Sequence, residues 1–233
     1  MLNPLATVAI YGFVFGVLFD ATPPRGDPSD LENFALFMLC GLIPWNFFAL
    51  MNNLGMGAIS ANAGLVRRVA FPREILVFAN VLHAGVQFLI EVGLLCIVLL
   101  IAGSPLLPWI PVVLLAGLLL AMFGSGFALA LSPLSVYFRD MTYLWGIALQ
   151  VWFFATPIVY PPELIDQQVP DWAQNILKAN PMAGFVRVFR RMLYDGGAPG
   201  VLTLFGVAAT SVVALALGWL IFTRLEPRFA EEV

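Results

Sequence analysis

Charge is what this sequence has least of. Asp, Glu, Lys and Arg make up only 11% of 233 residues, less than half the roughly 25% of a soluble domain. Lysine occurs once, at Lys178, and histidine once, at His83. So few charges cannot coat a water-soluble globule that is 61% apolar with a mean hydropathy of +0.93. Other functions fall away with them. No basic run exists to hold nucleic acid. A single histidine and two cysteines, Cys40 and Cys96, do not make a metal cluster. Both cysteines lie inside apolar stretches, where a thiol packs as a small hydrophobe rather than forming a disulfide. No G-x-x-x-x-G-K-[ST] loop is present, so the chain lacks the usual cradle for nucleotide phosphates and carries no cofactor of its own. Gly124-Ser125-Gly126 is not a nucleophile elbow, and no histidine stands near it as a base. An intramembrane enzyme is thus the remote alternative. The first apolar run begins almost at Met1, without the basic n-region of a signal peptide.

What is present is long apolar runs. About 20 such residues in a helix cross roughly 30 Å of hydrocarbon. Six stretches meet or approach that length: Leu5–Phe19, Phe34–Leu54, Ile75–Ile101, Pro108–Leu131, Tyr143–Val159 and Val201–Phe222. The spacing predicts an all-α integral membrane protein with six transmembrane helices and a single transmembrane domain over 1–233. An even number of spans leaves both termini on one side. With the termini cytoplasmic, the inner segments hold Arg67, Arg68, Arg73, Arg139, Arg224 and Arg228, and the first outer loop is acidic. The short connections then obey the positive-inside bias.

The connections carry the remaining signals. Ala63 to Phe71 mixes apolar residues with Arg67 and Arg68 at helical spacing, before Pro72 interrupts the backbone ladder and Arg73-Glu74 opens the next element. A short interfacial helix fits, serving either as a positive-inside anchor or as a docking knob for a cytoplasmic partner. Arg139-Asp140 is a second charged turn, explicable as a cap with a snorkelling anchor. In the long tract 161–200, one helix is expected to end before Asn180-Pro181. Another follows, with Met182, Phe185, Phe189, Met192 and Leu193 on one side and Arg187, Arg190 and Arg191 on its polar side. Such a pair can lid a pore or float among headgroups.

Within the spans, His83, Gln87 and Glu91 are spaced by four and form one polar stripe, with Asn80 ahead of them. It reads either as a polar lining or as an interhelical hydrogen-bond seam. Tyr11, Phe15 and Phe19 share a face of the first span; Trp145, Trp152 and Tyr160 lie near one face of the fifth. Aromatic walls suit sugar rings, although most aromatic stripes in lipid are packing or interfacial belts.

Taken in order, these motifs resemble the permease subunits of type-two ABC exporters, in the branch that moves O-antigen of lipopolysaccharide, teichoic acid and related cell-surface polysaccharides. The resemblance runs along nearly the whole chain: Asn3-Pro4 with Tyr11-Gly12-Phe13, Gly41-Leu42-Ile43-Pro44-Trp45, Leu65-Val66-Arg67-Arg68 with Phe71-Pro72-Arg73-Glu74-Ile75, Tyr137-Phe138-Arg139-Asp140, Thr156-Pro157-Ile158-Val159-Tyr160, and Asn180-Pro181. It implies a homodimer in the bacterial inner membrane, joined to two ABC ATPase subunits that bind ATP and Mg. Arg67, Arg68, Phe71, Pro72, Arg73 and Glu74 would form a cytoplasmic coupling helix, and Arg139 and Asp140 a smaller contact. Spans one and five would line the channel for a lipid-linked polysaccharide, and short gate helices bearing Arg187, Arg190 and Arg191 would sit outside. A drug or small-lipid exporter of the same superfamily is the alternative. Members carry a basic amphipathic segment before span one; this chain is expected to lack it, which bears on where a lipid-linked substrate would come in.

Overall fold

The computed structural model describes residues 24–160 except 70 and 139, then 170, 174 and 177, and finally 179–226. Among these residues all regular structure is helical. In chain order the α-helices are α1 (Phe34–Met56), α2 (Ala58–Ala61), α3 (Ala63–Arg68), α4 (Glu74–Ile101), α5 (Ile110–Tyr137), α6 (Met141–Phe154), α7 (Pro181–Leu193) and α8 (Val201–Leu225), with a 3-10 turn at Leu107–Trp109 before α5. Four of the helical segments are long and apolar enough to cross a membrane: 34–56, 74–101, 107–137 and 201–225. The expected first span, 5–19, lies outside the described residues. The expected fifth, 143–159, is only partly a helix. Fourteen residues make α6, about 21 Å at 1.5 Å per residue. Thr156-Pro157 then ends it, because proline has no amide to donate and its ring clashes with the preceding turn.

A backbone in lipid must satisfy its own polar groups, so helices are the natural form for these sequences. The solvent-like face is apolar: Leu82, Leu89, Leu94 and Ile97 on α4, and Leu202, Phe205, Val212 and Leu217 on α8, are all exposed. Pro44 inside α1 and Pro133 inside α5 are both buried.

Packing divides the described residues into two compact units. Those within Met1–Trp45, Leu89–Gly117 and Trp152–Gly206 form the first; those within Asn46–Phe88, Leu118–Val151 and Val207–Val233 form the second. In the second unit, aromatic rings stack: Phe47 on Phe88 at 4.3 Å and Phe48 on Phe123 at 5.5 Å between centroids. There α5 and α8 approach so closely that a Cβ on Gly126 would overlap the Ala214 carbonyl, and one on Gly218 the Gly126 carbonyl. Small residues that let backbones touch are how helices associate where lipid offers no hydrophobic drive. In the first unit, the loop before α5 is tied to the end of α7: Ser104 Oγ donates to the Leu193 carbonyl at 2.7 Å and Trp109 Nε1 to that of Gly196 at 2.8 Å. Gly196 has φ +72 and lies against Pro105, a conformation that favours glycine.

Candidate functional site

The first constellation lies in the second unit. After α1, Gly57 begins α2, and Asn62 closes it with Nδ2 donating to the Ala58 carbonyl at 2.8 Å. α3 follows at once. Its inner side is buried: Val66 joins Ala58, Ile59, Val77, Ala128, Leu129 and Phe222 in one cluster, with Phe71, Val136, Tyr137 and Leu225 packed against it. The opposite side is open, with Arg67, Arg68, Leu65 and Val69 exposed. Pro72 is exposed, while Arg73 and Glu74 are half-buried. Hydrogen bonds fasten the neighbouring chain ends. Arg73 Nη1 donates to the Glu226 carbonyl at 2.8 Å, Tyr137 Oη to that of Leu225 at 3.1 Å, and Ser135 Oγ to that of Met56 at 2.6 Å. Asp140 and Phe138 are exposed beside this anchor; Arg139 lies outside the described residues. The two connections read separately from sequence therefore share one core.

The second constellation lies in the first unit and centres on α7. Asn180 caps it, its Oδ1 accepting from Met182 N at 3.0 Å, with Pro181 as the first helical residue. The same amide makes three further bonds: Oδ1 accepts from Trp152 Nε1 at 2.8 Å, and Nδ2 donates to the Ala155 carbonyl at 3.1 Å and to Thr156 Oγ1 at 2.9 Å. Arg190 completes the attachment. Its guanidinium donates to the carbonyls of Pro157, Ile158 and Phe37, and lies 3.7 Å from the Phe37 ring centroid. Carbonyls of the broken backbone after α6 are thus satisfied by side chains of α7 and its cap. Tyr194 ends the helix, its hydroxyl donating to the Leu31 carbonyl at 2.8 Å. Burial pushes that phenol up to about 12, so it stays a neutral donor. Burial also raises the Asp195 carboxyl, against the pull of its bond from Arg191.

Here the expected polar side of α7 needs correction. The three arginines do not share an open face. Arg187 is exposed and Arg191 partly so, but Arg190 is only 7% exposed and turned into the unit. A long aliphatic stem with a planar five-donor head can be buried where enough carbonyls converge, and spacing along one helix cannot reveal carbonyls brought from elsewhere. The aromatic face of α6 is likewise engaged rather than open. Trp145 is buried against Phe127, and Trp152 is half-buried, edge-on to Trp45 at 6.3 Å. Tyr160 donates to the Phe154 carbonyl. The open side of α6 carries Tyr143, Leu144, Ile147, Val151 and Phe154 instead. Tyr11, Phe15 and Phe19 lie outside the described residues. Along the polar stripe of α4, His83 is exposed, Gln87 and Glu91 are half-buried, and Asn80 donates to the Leu54 carbonyl at 3.0 Å. Sequence reasoning missed the three long-range bonds of Asn180 and the role of Tyr194. The cap signature of Asn180-Pro181 was readable; its partners 24 to 28 residues away were not.

No group of three or more His, Cys, Asp or Glu that could hold a metal occurs among the described residues. Apolar helices long enough to span a bilayer, with a basic helix propped on their ends, mark a membrane-embedded protein. The chain belongs to the ABC-2 type transporter family, whose pattern it matches over residues 1–194. It is 30% identical to an O-antigen export system permease protein RfbA of Myxococcus xanthus, covering 100% of this chain and 85% of that one. To an RfbA of Klebsiella pneumoniae it is 27% identical, over 98% of this chain and 84% of the other. To a polysialic acid transport protein KpsM of Escherichia coli it is 26% identical, over 97% and 84%.

Proposed function

We propose that this chain is the membrane-spanning half of an ATP-driven exporter that moves a lipid-linked surface polysaccharide across the bacterial inner membrane. The names of its O-antigen and polysialic acid relatives support the substrate class. Two copies form the channel, each with six spans: the four long apolar segments, α6 with its broken end, and the run 5–19. Both termini face the cytoplasm, where two separate ABC ATPase subunits bind ATP and Mg.

The observation that carries this reading is α3. Its inner side is packed into a core shared with α4, α5 and α8, while Arg67 and Arg68 stand outward among exposed Leu65 and Val69. A motor in another subunit needs such a handle: open for docking, and rigid enough to pass a displacement on. Val66 and Ile59 then carry the push into the helix ends. ATP drives the change only if it binds one state of the assembly more tightly than the other.

The test is co-expression with the cognate ATPase, capture on a tagged permease, and reconstitution in proteoliposomes. Glycolipid should stimulate ATP hydrolysis. Arg67→Glu with Arg68→Glu should reduce ATPase recruitment about tenfold while the permease stays monodisperse. A well-folded double variant that recruits normally would remove α3 from docking. Vesicles that export small lipids but no glycolipid would remove the polysaccharide.

A further inference from the structure

The first unit holds a half-open cavity of about 520 Å³, well away in sequence from the α3 elbow. That is within the range of small-ligand pockets, roughly 300–1,000 Å³. We infer that this cavity is a binding site for a phosphate ester, held by Arg187, Arg191 and the first turn of α8. Arg187 and Arg191 stand at i and i+4 on α7, so their guanidiniums are neighbours on one helix face. Arg187 is exposed, and no hydrogen bond or ion pair engages it among the described residues. Arg191 is braced by its own surroundings: Nε donates to the Ala198 carbonyl, and Nη1 to the Asp27 carbonyl and to Asp195 Oδ2 at 3.3 Å. Those bonds fix the guanidinium plane and leave Nη2 without an acceptor among the described residues.

Gly200 and Thr203, at the start of α8, line the same cavity. α8 is 25 residues long. The amides of its first turn have no intrahelical acceptor, and its dipole favours an anion there. Two arginines, the start of α8 and Thr203 therefore line one space. Arg25 adds little, since its Nε is already shared by Asp30 at 3.3 Å and Glu32 at 3.1 Å. A phosphate matches this donor set better than a carboxylate. It offers three peripheral oxygens to donors arriving from two elements, where a planar carboxylate is satisfied by one fork. Phe37, Pro157, Ala183 and Val186 supply the apolar part of the lining, room for whatever the phosphate is esterified to.

A lipid headgroup and the phosphate of a glycan carry the same chemistry, and the experiment separates them. Purified protein is titrated with glucose 1-phosphate, read by intrinsic tryptophan fluorescence. In parallel, retained phosphatidylglycerol is counted by native mass spectrometry after purification from mixed phosphatidylcholine and phosphatidylglycerol nanodiscs. Arg187→Gln leaves every internal bond described above intact and should fold. It is expected to weaken at least one of the two readouts fivefold or more, whereas Arg224→Gln, at an exposed arginine outside the cavity lining, should change neither. Loss of sugar phosphate alone assigns a glycan phosphate; loss of phosphatidylglycerol alone assigns a lipid headgroup. Binding of neither probe, or binding indifferent to Arg187→Gln, overturns the site. The site does not depend on the ATPase, so its failure leaves the export reading standing, and ATPase recruitment tests that reading separately.

Discussion

Arg190 concentrates more structure than any other charged side chain described. It holds three carbonyls, two from the broken stretch after α6 and one from α1, and covers the ring of Phe37. A methyl in its place would leave those acceptors buried, each costing on the order of 1–3 kcal/mol. Arg190→Ala is therefore expected to lower stability by about 3 kcal/mol or more, read as a fall in melting temperature and loss of monodispersity in detergent. Arg190→Lys should rescue little, because one ammonium cannot reproduce the fork. If the lysine variant melts like the parent, the three-carbonyl account is wrong. From the sequence, the residue type and the start of its helix were legible. Its inward turn was not, since that depends on Pro157 and Ile158 having left the helix some 30 residues earlier.

Among whole helices, the α5–α8 crossing shows why sequence located the rods but not their faces. Both are apolar nearly all round, so periodicity marks no inner side, as expected where lipid and protein are equally oily. The close approach at Gly126 and Gly218 becomes visible only when the backbones are placed together. Even a methyl at Gly126 meets the Ala214 backbone. Gly126→Ala should thus force the helices apart and destabilise by about 1–3 kcal/mol. Gly146→Ala, on α6 with nothing within 4 Å of its added carbon, should be neutral or gain up to about 1 kcal/mol from helix propensity. Thermal denaturation of the two variants side by side decides it; equal effects would mean the crossing is looser than it stands here. α6 taught the opposite lesson. Its apolar run reads as a full span, yet Thr156-Pro157 ends the helix early, a local signal outweighed in the sequence by the hydropathy on either side.

For the molecule at work, the proposed elbow matters through what it is tied to. Arg73 donates to the Glu226 carbonyl, while Phe71 and Val66 belong to the core that also holds Phe222 and Leu225. Arg73→Ala keeps that apolar core and removes the bond. In the reconstituted complex it should still bind the ATPase and support ATP hydrolysis, while glycolipid export falls severalfold. Export that keeps pace with hydrolysis would deny Arg73 any part in transmission. The basic elbow, the four long apolar spans and the family motifs could all be read from residue order. That both elbows meet over one core could not, because Val66, Val136 and Phe222 are brought together only by the fold.

Tyr137 and Arg73 both grip the end of α8, through the carbonyls of Leu225 and of Glu226 just beyond it. The tail of the chain is therefore stitched to the handle itself, which matters to anyone labelling the protein. If α3 is the docking handle proposed above, a fluorescent protein or rigid purification tag fused just after Glu226 would crowd that dock, whereas a long flexible spacer would leave it clear.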